Sequence, residues 1–270
     1  MGIAERIQRY AAMLCVLLGC AAGAHAQDEE AAVRASRWQQ LHEQLFPGRE
    51  ILDGKWVVQI QAEARAHDAA LVPVELQVLE TARVTGIYLI IDENPAPLAA
   101  HVRFGPLADP HSMSLRVRVN AYTDLHAVAE TSDGRLYATA RYIKASGGCS
   151  APAGADDTQA LRDIGLMRLR LTGPFEAGKT LQAQLMIRHP NFNGMQMDQV
   201  KRDFTPARFI RTIDASFEGQ EIFHVDADIS LSTDPVIGFG FVPAAKGKVL
   251  VEVQDSDEAR FHHEFEVPGT

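Results

Sequence analysis

The spacing of apolar and polar positions changes period once along this chain. Over residues 28–48, "DEEAAVRASRWQQLHEQLFPG", Trp38, Leu41 and Leu45 recur at i, i+3 and i+7, one face of a helix. Asp28, Glu29 and Glu30 open the stretch, where a helix dipole favours acids, and Pro47-Gly48 closes it. Beyond it the period is two. In "KWVVQIQAEAR", Val58, Ile60 and Ala62 alternate with Gln59, Gln61 and Glu63. In "LVPVELQVLE", Val72, Val74, Leu76 and Val78 alternate with polar positions, and Pro73 marks an edge or a bulge. "GIYLIID" is a buried apolar run ended by a turn at Asp92-Glu93-Asn94-Pro95. In "MSLRVRVNAY", Met113, Leu115, Val117 and Val119 form the apolar face, and Ser114, Arg116, Arg118 and Asn120 the polar one. "LHAVAETSDGRLYATARYIK" reads as a hairpin turning at Asp133-Gly134.

The pattern then stops. "ASGGCSAPAGADD" is small, polar and aperiodic, the composition of an arm or linker. "TQALRDIG" adds a short helical turn, and a second set of alternating strands follows from "LMRLRLTG" to "ARFHHEFEV", with hairpin turns at 217–221 and 254–257. The fold class expected is all-β: two Ig-like antiparallel β-sandwich domains in tandem, with a short N-terminal helix. The boundaries expected are a helix over 27–50, a first sandwich over 51–144, a cysteine-bearing arm over 145–163 and a second sandwich over 164–270.

The first 26 residues read as a secretory signal. Arg6 and Arg9 precede an apolar run, and Ala24-His25-Ala26 is a small-residue cleavage site before Gln27. Leu17-Leu18-Gly19-Cys20 loosely resembles a lipobox, so lipidation at Cys20 is an alternative. No later segment reaches the roughly 18 apolar residues that a spanning helix needs. The net charge of -9 argues against nucleic acid and anionic membrane as partners.

The expected export gives the cysteines their meaning. Of three, Cys15 and Cys20 lie in the signal, leaving Cys149 alone. A single thiol in an oxidising compartment points to a reactive group, to intermolecular pairing, or to an inert buried cysteine. Its neighbours Gly147, Gly148, Ser150 and Ala151 supply little packing, which favours an exposed, reactive thiol. Gly147 and Gly148 would let a narrow partner channel close around the backbone. Lys144 and Arg141 lie on the approach, either favouring the thiolate or forming a solvated strand face. No histidine has a spacing tied to Cys149, so a thiol enzyme lacks a visible base. His262 and His263 point to opposite faces of a predicted strand, and no metal site is expected. "MIRHPNFNGMQMDQ" holds the other irregular segment: His189-Pro190 ends a strand, then Asn191, Asn193 and Gly194 follow. This is either an ordinary inter-strand loop or one that contacts the partner domain or frames the arm.

At these residues the chain resembles a fusion of SoxY and SoxZ, the two subunits of a periplasmic sulfur-carrier complex. "VPVELQV", "IDENPAPLAAHVRF" and "LRVRVNAYTDLHAVAETSDGRLYATARYIKASGGC" run in SoxY order. "QAQLMIRHPNFNGM", "FEGQEIF" and "ISLSTDPVIGFGF" run in SoxZ order. It is more narrowly similar to the carriers associated with quinoprotein dehydrogenases. The resemblance implies a periplasmic carrier, not an enzyme, with no cofactor beyond a sulfur intermediate covalently attached to Cys149. Gly147, Gly148 and Ser150 would form the carrier arm. Partners would be periplasmic redox enzymes: c-type cytochromes, sulfur-oxidising enzymes or a quinoprotein dehydrogenase. Ser150-Ala151-Pro152 replaces the two trailing glycines of the family arm, which here continues into the second domain. The alternative is an interaction or accessory module in which Cys149 is incidental.

Overall fold

The computed structural model describes residues 29–79, 83–151, 161–198 and 202–267. The expected signal, Cys20 and residues 152–160 of the arm lie outside the described residues. Two units divide the chain after Gly48. In the first, residues 29–45 form helix α1, ending just before Pro47 as its missing N–H requires. Arg34 and Glu30 pair across one turn at 3.8 Å, and the Trp38 and His42 rings stack with centroids 6.4 Å apart.

The second unit, Arg49–Thr270, is built of strands. Its first half contributes β1 (Ile51–Asp53), β2 (Val58–Gln61), β3 (Val72–Val78), β4 (Val84–Ile91), β5 (Leu98–Phe104), β6 (Ala108–Val117), β7 (Thr123–Thr131) and β8 (Leu136–Ile143). Its second half contributes β9 (Met167–Thr172), β10 (Leu181–Ile187), β11 (Met197–Asp198), β12 (Asp203–Phe204), β13 (Ile210–Phe217), β14 (Gln220–Ala227), β15 (Val236–Phe241), β16 (Gly247–Asp255) and β17 (Arg260–Val267). Each half is a two-sheet sandwich of mainly antiparallel strands, as the alternation predicts; β1 and β8 pair in parallel.

The halves are not separated by the arm. A nine-stranded sheet runs β1-β8-β7-β4-β5-β14-β13-β16-β17, and a six-stranded sheet runs β2-β3-β6-β15-β10-β9. Both sheets cross from one half to the other. The first crossing pairs β5 with β14, placing Phe104 opposite Phe223 and Val102 opposite Val225. The second pairs β6 with β15, with Met113 opposite Phe239. Edge strands offer unpaired N–H and C=O groups, and here each half satisfies the other's. The inner faces form one apolar cluster: Val74, Leu76, Leu89 and Val102 from the first half join Ile213, Val225, Phe239 and Val251 from the second. Phe223 on one sheet meets Phe239 on the other edge-on, with centroids 4.8 Å apart. Pro73 sits on an internal strand, yet β2 pairs with β3 only from Glu75 onward. Its missing N–H therefore falls past the end of the neighbouring strand.

Polar pairs cross the outer face of the same junction. Arg103 and His101 on β5 lie 3.5 and 3.7 Å from Asp226 on β14. His224 bonds Asp214 at 2.6 Å and Asp226 at 3.0 Å. Burial works against the His224 imidazolium, but its bonds to these two carboxylates outweigh it and raise its pKa above the ordinary 6.5.

Two predictions follow from this arrangement. Phe223→Ala should cost about 3–5 kcal/mol, and calorimetry should show one unfolding transition, shared by both halves and shifted as a unit. A raised histidine pKa gives stability that is full below 6.5 and lost as pH rises through the folded value. The melting-temperature difference between the parent chain and His224→Gln should therefore be larger near about pH 5.5 than near about pH 8.5.

Candidate functional site

The arm leaves β8 at Ile143 and turns back along the end of the first sandwich. The Lys144 N–H donates to the Ala64 carbonyl at 2.9 Å, and Ala145 is buried. The Gly147 N–H then donates to the Asn120 carbonyl at 2.8 Å, and the Gly148 N–H to the Val119 carbonyl at 3.0 Å. Gly147 has φ +80°, a conformation that disfavours side chains. Gly148 packs so tightly that a Cβ there would lie 2.0 Å from the Ala69 carbonyl oxygen. The exposed Ser150 closes the turn with its hydroxyl 3.3 Å from the Gly147 carbonyl.

This corrects the expectation of a solvent-exposed thiol on a loose arm. Cys149 is 1% exposed. Its sequence neighbours are small, as read, but segments distant in sequence enclose the turn. The strand end at Val119-Asn120 and the loop at Ala69 receive the backbone. The second half closes the site: Asn193 donates its side-chain amide to the Cys149 carbonyl at 2.7 Å. In this docked state Gly148 serves close approach and Gly147 a positive φ, rather than flexibility.

The loop that carries Asn193 is built from its own polar groups. The Asn191 N–H donates to His189 Nδ1 at 3.0 Å. Asn191 Nδ2 reaches the Ser232 carbonyl at 2.7 Å, and its Oδ1 accepts from the Ile210 N–H at 2.9 Å. His189 Nε2 lies 3.5 Å from Asp255, which Arg208 also holds at 2.9 Å. Burial drives the His189 pKa below its ordinary value despite Asp255, so the ring is a neutral structural wedge. Asn193 Oδ1 accepts the Met195 N–H at 2.9 Å, which aims its amide nitrogen at the arm. The "NFNG" loop therefore frames the arm, one of its two readings.

The charged neighbour of Cys149 is Arg118, which the strand pattern placed on a polar face. It is 1% exposed. Its Nη1 donates to the Leu231 carbonyl at 2.6 Å, and its Nη2 to Thr233 Oγ1 at 2.7 Å and the Pro190 carbonyl at 3.3 Å. A longer 3.5 Å contact runs to Ile229. All four acceptors are neutral groups of the second half. Asn94 braces the same spot, donating to the Arg118 carbonyl at 2.8 Å and to Ser230 Oγ at 2.9 Å. Burial lowers the Arg118 pKa to about 10, which leaves it charged at neutral pH, and Cys149 favours that charge. Burial also pushes the Cys149 thiol above its ordinary 9.0, and Arg118 offsets only part of this. The docked thiol is protonated at neutral pH. Lys144 and Arg141 take no part: Lys144 is exposed, and Arg141 Nε donates to the Ala62 carbonyl at 2.6 Å.

Two family models divide the chain. One, sulfur oxidation protein SoxY, matches residues 42–149; the other, sulphur oxidation protein SoxZ, matches residues 170–266. The chain is a SoxYZ-like fusion. Its SoxY match ends at Cys149, and its SoxZ match contains Asn193. Among solved structures, the sulfur carrier protein SoxY from Chlorobium limicola f thiosulfatophilum is 26% identical, covering 43% of this chain and 98% of that one at a TM-score of 0.37. SGBP-B of the Bacteroides ovatus mixed-linkage glucan utilization locus is 13% identical, covering 83% and 46% at a TM-score of 0.23. Both scores are low, and the fold rests on this chain's own strand pairing. No curated protein matches the chain significantly. In this SoxYZ fusion the SoxY residue of interest is thus held by a SoxZ side chain.

If docking hides the thiol, loosening the dock exposes it. Asn193→Ala leaves the Cys149 carbonyl without its donor, at a cost of about 1–3 kcal/mol. Alkylation of Cys149 by iodoacetamide should accelerate about tenfold or more. Gly148→Ala, which collides with Ala69, should accelerate it further while the melting temperature of the sandwich stays close to the parent's. Unchanged rates in both would mean that reagents reach the sulfur without undocking.

Proposed function

We propose that this SoxYZ fusion is a periplasmic carrier that holds a sulfur intermediate covalently on Cys149 and presents it to partner enzymes. The observation that carries the reading is the placement of Cys149. It is the last residue of the SoxY match, and it sits in a dock built from both halves. The sulfur carrier SoxY of Chlorobium limicola supports the same role by its own description. Such a protein needs no catalytic base and no cofactor of its own, because chemistry happens in the partner.

A carrier with a buried thiol has to release it. Among the described residues, three hydrogen bonds hold the docked backbone beyond Ala145: those of Gly147, Gly148 and Asn193. At about 1 kcal/mol net each, release costs a few kcal/mol. A released state of about 0.1–10% suffices for a partner to capture the arm. Loading then forms an S–S bond. For an inorganic sulfur anion such as thiosulfate, Cys149–SH and S₂O₃²⁻ give Cys149–S–S–SO₃⁻, one proton and two electrons. The electrons require an acceptor, for which a c-type cytochrome partner or a quinoprotein dehydrogenase system serves. Gly147, Gly148 and Ser150 are then the segment that swings. Because the arm continues toward β9, it presents a loop rather than a free end.

The second reading is an accessory or interaction module for a periplasmic quinoprotein dehydrogenase, with Cys149 structural. Its burial to 1% exposure favours that reading. Intact mass of the chain isolated from its periplasm, with and without reductant, separates the two. The carrier reading expects a reducible sulfur adduct on Cys149 and loss of pathway activity in Cys149→Ser. An unmodified thiol together with full activity in Cys149→Ser would overturn it.

A further inference from the structure

The Arg118 site contains more positive charge and more donor capacity than the empty dock uses. A buried guanidinium usually faces a carboxylate, because removing it from water is costly. Arg118 faces none among the described residues: its hydrogen-bond acceptors are three backbone carbonyls and one hydroxyl, and its electrostatic partner is Cys149. A second group points the same way. Gln196 is 3% exposed, and its Oε1 accepts the Asn193 N–H at 3.2 Å, which fixes the orientation of its amide. Its Nε2 is buried with no hydrogen-bond partner among the described residues. Gln196 touches Asn193, Asn193 touches Cys149, and Arg118 touches Pro190 in the same loop. A buried cation whose electrostatic partner is the thiol, and a spare buried donor on the loop that closes over it, point to a place for an acceptor-rich anion attached to that thiol.

We propose that Arg118 and Gln196 are charge-selecting residues of the dock, which retains a Cys149 adduct ending in an anionic sulfur oxyanion in preference to a neutral adduct. Arg118 supplies the counter-charge and the Gln196 amide N–H an oxyanion donor. The inference rests on Cys149 being the attachment point, and it adds which cargo the dock shelters. An unloaded thiol or a neutral disulfide leaves both groups uncompensated, whereas a thiosulfonate terminus satisfies them. The arm would thus stay closed over an anionic cargo and open over a neutral one.

Two adducts on the full chain test this. Tetrathionate converts the thiolate to Cys149–S–S–SO₃⁻ with release of thiosulfate. Methyl methanethiosulfonate gives Cys149–S–S–CH₃ with release of methanesulfinate. After intact mass has verified each adduct, its removal by a phosphine reductant is timed on the folded chain and on the same chain in denaturant. The ratio of the two rates is the protection conferred by the dock. The expected result is protection of the anionic adduct at least about tenfold greater than that of the neutral one. Arg118→Gln should abolish the difference and Arg118→Lys retain part of it. Arg118 is buried, so a second variant guards against misfolding. Gln196→Glu keeps the oxygen that accepts the Asn193 N–H but replaces the spare donor with a negative oxygen, and it should erase or invert the preference. Equal protection of the two adducts in the parent chain, or a preference unchanged in Gln196→Glu, would overturn the proposal. Failure of both reagents to modify Cys149 on the folded chain is a different result: it counts against the carrier itself, and the anion site falls with it.

Discussion

Two backbone ladders, β5 on β14 and β6 on β15, determine everything else in this molecule. Each converts what would be an exposed strand edge into an interior pairing, and together they make the halves one hydrophobic unit. The alignment also brings loops of the SoxZ half over the end of β6. That cover turns the last turn of the strand into an interior position on both sides: Val117, Arg118 and Val119 are all buried. The dock for the arm is a by-product of this cover. Asn193 reaches Cys149, and Arg118 reaches Pro190, Leu231 and Thr233, only because the sheets are continuous.

Electrostatics at the dock is a contest between burial and a single positive charge. Arg118 keeps its charge because neutral acceptors replace much of its lost water. Its attraction for a thiolate does not match the desolvation of the sulfur, so the thiol stays protonated. A protonated, enclosed thiol is a poor nucleophile and a poor target for oxidants. Such enclosure keeps a thiol from pairing with the wrong partner.

The strands were largely legible in the sequence. Val72, Val74, Leu76 and Val78 alternate in the text and are 0–2% exposed in the fold. The turn at Asp133-Gly134 and the end of the helix before Pro47 were legible for the same local reasons. The position of the thiol was legible too, because a cysteine behind two glycines after a strand is a local motif. What was not legible is long-range. Arg118 alternates correctly for an outward position, and nothing within ten residues of it signals that a loop more than seventy residues away lies on top. Small neighbours of Cys149 suggested exposure, yet smallness is also what tight backbone docking requires, as Gly148 against Ala69 demonstrates. Composition could not separate these two uses of glycine. The Asn193 loop stood between: its irregularity was visible, its target was not.

Having both halves in one polypeptide fixes their stoichiometry. Where two subunits meet through shared sheet edges, dilution separates them and related subunits can exchange. Here the cysteine of the first half and the asparagine of the second belong to one chain, at any concentration of protein. The cradle that encloses the sulfur is therefore assembled once, during folding, and never has to be found again.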